Sequence, residues 1–220
     1  MASNRKRKQR IRLDGEVRRQ RILDEAMLLI GTSGYYGFSI QQLARRCGLT
    51  NAGLLYYFGT KKQLLIALLE DRQARDAATV TSATGFRRED IDRLALEDIR
   101  RLFHTLLANS ATQPDVVRLF NVLYSEALDP SHPAHDYFVE REDGVLKDFS
   151  RMLAPHLAQP LSTARQLVTL MRGLQMQWLR EHQEFDLVAE WDRAAAMVLP
   201  SGAPGRRPRA RKPLTAQIEI

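Results

Sequence analysis

Several residue classes are scarce in this chain, and each scarcity removes a class of protein. Cys47 is the single cysteine among 220 residues, which excludes a disulfide framework and any multi-cysteine metal site. All nine prolines lie at or beyond Pro114, so none interrupts a helical pattern in the first half. No stretch approaches the roughly 18 consecutive apolar residues of a membrane helix. No apolar segment follows the basic N-terminus, as a secretory signal would require. The alternation of β-branched residues that marks strands is nearly missing. The motifs G-x-G-x-x-G, H-E-x-x-H and G-x-S-x-G are missing too. Gly53 and Gly59 are six apart and Thr60 precedes Lys61, the wrong spacing and order for a phosphate-binding loop. The expectation is a cytoplasmic all-α protein that is not an enzyme, with no cofactor, metal or membrane contact.

What is present is ordinary in amount and uneven in placement. Hydrophobic residues make up 44% of the chain and charged residues 27%, enough for a substantial core. Residues 1–21 hold nine Lys or Arg against Asp14 and Glu16, and residues 201–220 hold five against Glu219. The body between them carries 19 basic and 23 acidic residues. A mildly acidic body with basic ends suits a polyanionic partner approached from particular places.

Apolar residues return every three or four positions throughout. This predicts helices near 17–33, 39–46, 50–58, 60–82, 88–109, 114–128, 134–157, 162–182 and 185–199. Four parts are expected: a disordered basic arm over 1–14, a helix-turn-helix domain over 15–65, a helical ligand-binding and dimerisation domain over 66–199, and a disordered basic tail over 200–220. The tail holds four prolines and two glycines.

The densest signals lie between Ser39 and Leu64. Ser39 and Gln42 form a capping-box pattern, and Gly48 suits the left-handed end of the helix they start. Thr50 can cap the next helix, with Leu49 and Leu54 placed as a hydrophobic staple. Thr60 and Gln63 repeat the capping pattern. Two short helices about a tight Gly-containing turn make a helix-turn-helix. In its second helix Leu54 and Phe58 face the core, leaving Asn51, Ala52, Gly53, Leu55 and Tyr57 toward the other side. Four basic residues, Arg45, Arg46, Lys61 and Lys62, and no acidic ones occupy this stretch. That is a face suited to phosphate, and nucleic acid is the indicated partner.

Residues 48–65, GLTNAGLLYYFGTKKQLL, resemble the recognition-helix segment of the tetracycline-repressor (TetR) family of transcriptional regulators. Residues 21–47 resemble that family's first two helices. Gly48, Leu49, Thr50, Tyr56, Phe58, Lys61 and Leu64 match its pattern. Leu55 and Tyr57 depart where a Tyr and a His are frequent, which bears on the bases read. The resemblance implies that Thr50 and Tyr56 contact phosphates and that Lys61 adds charge at a helix N-terminus. It places Asn51, Ala52, Gly53, Leu55 and Tyr57 nearest the base edges, with Ser39 and Arg45 on the same face. It further implies a homodimer, acting as a repressor, on a palindromic operator of double-stranded DNA. A small-molecule effector would release it by changing the spacing of the two recognition helices.

The residues expected to line an effector cavity are Phe103, His104, Leu107, Phe120, Tyr124, Tyr137, Phe138, Phe149 and Met152. The dimer is expected through residues 162–199, with Leu167, Met171, Leu174, Trp178, Val188, Trp191 and Ala195 at its interface. His132 and His135, between Pro130 and Pro133 and the next helix, read as a loop, and Cys47 as a small buried turn residue. The clusters Glu89, Asp90, Asp92 and Glu140, Glu142, Asp143 read as solvated helix faces. Two alternatives stay open: a ligand-independent or nonspecific DNA-binding protein using its basic arms, and a helical protein-interaction adaptor. The effector, the operator and the regulated genes are not legible in the sequence.

Overall fold

A computed structural model describes the backbone of residues 2–200 and the side chains of residues 15–200. Among the described residues the chain is helical without strands. The helices are α1 (Ala2–Gly37), α2 (Ile40–Cys47), α3 (Asn51–Phe58), α4 (Lys61–Thr84), α5 (Leu96–Ala111), α6 (Pro114–Glu126), α7 (His135–Leu153), α8 (Pro160–Arg180) and α9 (Leu187–Val198). Two expectations are corrected. Helix α1 begins at Ala2 rather than near residue 17; the added segment is rich in Arg and Lys, which favour helix, and holds no Pro. The helix expected over 88–109 is a 3-10 turn, Arg88–Arg93, then α5, separated by extended Leu94 and Ala95. The His156 ring nitrogen Nε2, 2.8 Å from the Leu94 carbonyl oxygen, holds that break in place. The expected tail over 200–220 lies outside the described residues beyond Pro200.

Local chemistry sets the ends. Ser39 Oγ accepts the Gln42 N–H at 3.1 Å while Gln42 Oε1 accepts the Ser39 N–H at 2.9 Å, a complete capping box. Thr60 forms only half of one, accepting the Gln63 N–H at 3.1 Å. Pro114 and Pro160 open α6 and α8, where a missing N–H costs nothing. Asp186 caps α9 by accepting from Val188 and Ala189.

The apolar faces assemble into two cores. One is built by α1 to α4 together with Leu119, Leu123, Ala127, Ala134 and Phe138 of the α6–α7 region. The other joins α5, the end of α7, α8 and α9 around Phe103, Leu107, Leu167, Trp178 and Trp191. The first core therefore crosses the boundary expected at residue 65, and α4 runs without interruption from one region into the other.

The contact between α1 and α6 is what makes this shared core possible. At Gly31 the helices approach so closely that a Cβ would sit 3.5 Å from the Leu119 backbone. Three residues later Gly34 leaves the helix, at φ 72 and ψ 177, a region open essentially to glycine. The break frees the Tyr35 N–H, which donates to Glu126 Oε2 at 2.8 Å. A Cβ at Gly34 would run into that same carboxylate. Gly34→Ala is expected to lower unfolding stability by about 1–3 kcal/mol, measured by urea denaturation. An unchanged midpoint would show that the break tolerates a side chain.

Candidate nucleic-acid interface

Helices α2 and α3 cross at a turn held by Gly48, left-handed at φ 68, whose N–H reaches the Ala44 and Arg45 carbonyls. Leu43, Ala44, Leu54 and Phe58 are buried and anchor the pair on α1 and α4. Thr50 Oγ1 accepts the Gly53 N–H at 3.0 Å and starts α3. Anchored this way, α3 turns a polar and aromatic face outward. Thr50, Asn51 and Ala52 are exposed, as are Ser39 and Arg45 on the α2 side. Tyr56 stands out at 86% exposed, with its ring edge-on to Tyr57 at 5.7 Å. Gly53, Leu55 and Tyr57 are half-buried, and the latter two also pack on the first core.

Lys61 sits differently from an open phosphate ligand. Its Nζ donates to the Phe38 carbonyl at 2.7 Å and lies over the Tyr35 and Phe38 rings, 4.5 and 4.3 Å from their centroids. Burial holds its pKa below the ordinary lysine value, partly opposed by Glu126. Lys62 beside it is exposed. Cys47 is half-buried, and burial raises its thiol pKa, which disfavours the reactive thiolate.

Behind the interface, the α6–α7 loop carries His132. Its side chain is buried between the Tyr35 and Tyr36 rings, with centroids 5.3 and 5.6 Å away. Its Nδ1 accepts the Ala134 N–H at 3.2 Å, which puts the neutral ring's proton on Nε2, 3.5 Å from Glu126 Oε2. His135 Nδ1 lies 2.8 Å from the Ala127 carbonyl oxygen. No group of three or more His, Cys, Asp or Glu side chains among the described residues is placed to hold a metal ion.

A cavity of about 300 Å³ opens between α5, α6, α7 and α8, touching α4 at Asp76. Four of the nine expected lining residues border it: Phe120, Tyr124, Phe138 and Phe149. The other five do not. Phe103, Leu107 and Met152 are solid packing of the second core. His104 points outward, half exposed, and pairs with Asp192 at 3.0 Å. Tyr137 stands behind the wall, its hydroxyl donating to Gln73 Oε1 at 2.8 Å on α4. Helical spacing reports burial but cannot separate a lined void from filled core. It also missed the polar lining, Arg141 and Arg172 in particular. Glu142, expected on a solvated face, instead pairs with Arg172 at 3.2 Å and accepts from the Tyr124 hydroxyl.

The expected dimer residues divide as well. Leu167, Trp178, Trp191 and Ala195 are buried within the chain, so they cannot meet a partner as placed. Met171 borders the cavity, while Leu174 and Val188 are half-buried against the second core. The outer face of α8 and α9 presents Leu161, Gly173, Met176 and Met197 instead.

Comparison with known proteins places this architecture. Residues 22–68 match the family model for bacterial regulatory proteins of the tetR family. The chain is 32% identical over 114 residues to the HTH-type transcriptional regulator BetI of Rhizobium meliloti (strain 1021), covering 50% of this chain and 52% of that protein. It is 23% identical over 146 residues to the HTH-type transcriptional regulator SrpR of Pseudomonas putida, covering 66% and 64%. The chain spans about half the length of the first curated relatives it matches. In fold it is similar to the transcriptional regulator FadR from Bacillus subtilis in complex with stearoyl-CoA, with TM-score 0.67 at 16% identity over 82% of this chain and 97% of that one. A regulator from Rhodococcus sp. gives TM-score 0.65 at 19% identity, covering 83% and 98%. Residues 22–68 are thus similar to bacterial regulatory proteins of the tetR family, and α2–α3 lies wholly within the matched segment. No described helix is long and apolar enough to cross a membrane.

The buried His132 gives a pH test. Desolvation lowers its pKa from 6.5, against the pull of Glu126 and Asp129. The unfolded chain therefore binds a proton that the folded chain refuses, and stability falls as pH drops below the ordinary imidazole value. Urea midpoints measured from pH 7.5 to 5 are expected to decline, and His132→Gln to flatten that decline. An equal slope in the variant would assign the acid sensitivity elsewhere.

Proposed function

We propose that the protein is a homodimeric transcriptional regulator, acting as a repressor, that binds a palindromic DNA operator and is released by a small-molecule effector. The observation that carries this reading is the exposed α3 face beside basic Arg45, Arg46 and Lys62, in a stretch without a carboxylate. In this reading Thr50 and Tyr56 contact phosphates, and Asn51, Ala52, Gly53, Leu55 and Tyr57 lie nearest the base edges. The Lys61 ammonium braces the domain from inside, and its α4 N-terminus offers backbone N–H groups to a phosphate. A two-fold dimer through the outer face of α8 and α9 would present two copies of α3 to successive major-groove faces.

Effector control is supported by the cavity beside α4, the helix that starts at the interface. A ligand that favours a differently spaced pair of recognition helices weakens operator binding by its differential affinity. A cavity of about 300 Å³ suits a small molecule.

Selection of bound sequences from a random duplex pool, at about 0.15 M salt where phosphate contacts are screened to cellular levels, is expected to return a palindrome. Tyr56→Ala and Lys62→Ala should weaken binding evenly across sequences, whereas Asn51→Ala should change base preference. A featureless pool retained only at low salt would replace this reading with nonspecific binding by the basic ends. For the dimer, Met176→Arg is expected to halve the mass measured by sedimentation equilibrium; a dimer persisting in the variant would move the interface elsewhere.

A further inference from the structure

The cavity between α5 and α8 has a chemical bias in its unsatisfied groups. Most polar side chains around it are already engaged. Asn109 donates to Asp76 at 3.1 Å, Asn121 to the Val117 carbonyl at 2.8 Å, and Gln175 to Ser110 at 2.9 Å. Arg172 is neutralised by Glu142. Arg141 differs. Its Nε is buried with no acceptor, and no ion pair to it is found among the described residues. Beside it lie the Tyr137 phenol and the face of Phe120, 5.1 Å from the guanidinium carbon; Asp76, the carboxylate on the cavity wall, accepts from Asn109 and forms no ion pair with it. A guanidinium remains charged at any physiological pH, so one whose Nε is buried without an ion-pair partner is an incomplete arrangement.

The rings point the same way. An aromatic-lined cavity could in principle attract a cation. Here Arg141 already lies over Phe120 and Arg172 over Tyr124, its guanidinium carbon 4.0 Å from the ring centroid. A cationic ligand would meet two guanidinium groups at the rings it sought. An anion would complete one of them.

We infer that this cavity binds a small apolar carboxylate whose head is held by Arg141 and whose tail lies along Phe138, Val145, Phe149 and Met171. At about 30 Å³ of liquid volume per small group, the cavity holds roughly ten heavy atoms. That is the size of an eight-carbon acid. The site also has a route to the DNA-binding domain. Tyr137, which accepts from Arg141, donates to Gln73 and toward the Leu69 carbonyl at 3.3 Å, both on α4. A carboxylate that draws Arg141 inward removes a donor from Tyr137 and loosens its hold on α4. This consequence rests on the effector-controlled reading; the carboxylate site itself does not.

The test is calorimetric titration of the full chain with octanoate, octanol and octyltrimethylammonium. Octanoate is expected to bind at least ten-fold more tightly than octanol, and the ammonium compound not to bind measurably. Arg141→Gln should bring octanoate to the octanol level, and Arg141→Lys should retain part of the preference. Equal binding of octanoate and octanol by the unmodified chain, or preference for the ammonium, overturns the inference without any variant. So does undiminished octanoate binding in an Arg141→Gln protein whose circular dichroism is native. Octanoate that binds through Arg141 yet leaves operator affinity unchanged supports the carboxylate site and overturns effector control, so the two readings fail separately.

Discussion

The carboxylate of Glu126 stands where the helix-turn-helix region and the rest of the molecule meet, and most of the arrangement is organised around it. It accepts the backbone N–H that Gly34 releases, and it faces the buried ring of His132. Its field also acts on the Lys61 ammonium, which is lodged between Tyr35 and Phe38. An accepting carboxylate at a broken helix satisfies a donor that would otherwise be buried without a partner. Because Glu126 ends α6 and Lys61 begins α4, the angle at which α3 is presented depends on contacts made outside the segment that carries it.

The cavity is placed to act on that arrangement from two sides. Helix α6 borders the cavity through Phe120 and Tyr124 and ends at Glu126. Helix α7 borders it through Phe138 and Arg141 and reaches α4 through Tyr137. Well-packed elements of this kind shift between discrete arrangements rather than deforming continuously. A ligand needs only to favour one packing of α6 and α7 over another for the difference to appear at the start of α4.

How much of this could be read from the sequence follows from how local each signal is. The segment from Ser39 to Leu64 was legible because caps, left-handed glycine and the Leu54–Phe58 spacing act within a few residues of themselves. The cavity was only partly legible. Phe103 and Phe120 have the same chemistry and sit on equally regular helices, and only the three-dimensional spacing of α5 to α8 makes one solid core and the other a wall. Arg141 and Glu142 were hidden for a different reason: charged residues on an amphipathic helix read as solvated until a neighbouring helix is seen to cover them. The stripe on α8 was legible as apolar but not in what covers it. Leu167 and Trp178 have the spacing of an interface, yet they are buried within the chain, where α7 and α9 pack on α8.

The core shared between α1–α4 and the α6–α7 region bears on how such proteins exchange parts. Leu119, Leu123, Ala127, Ala134 and Phe138 are as much the floor of the helix-turn-helix domain as its own leucines. A graft that joined residues 1–65 to a foreign host would leave Ile22, Ile30 and Leu65 facing whatever side chains the new host supplied. Recombination in this architecture is therefore governed by the seam along α1 and α6, and a transplanted α1–α4 unit keeps its packing only if the matching half of that seam travels with it.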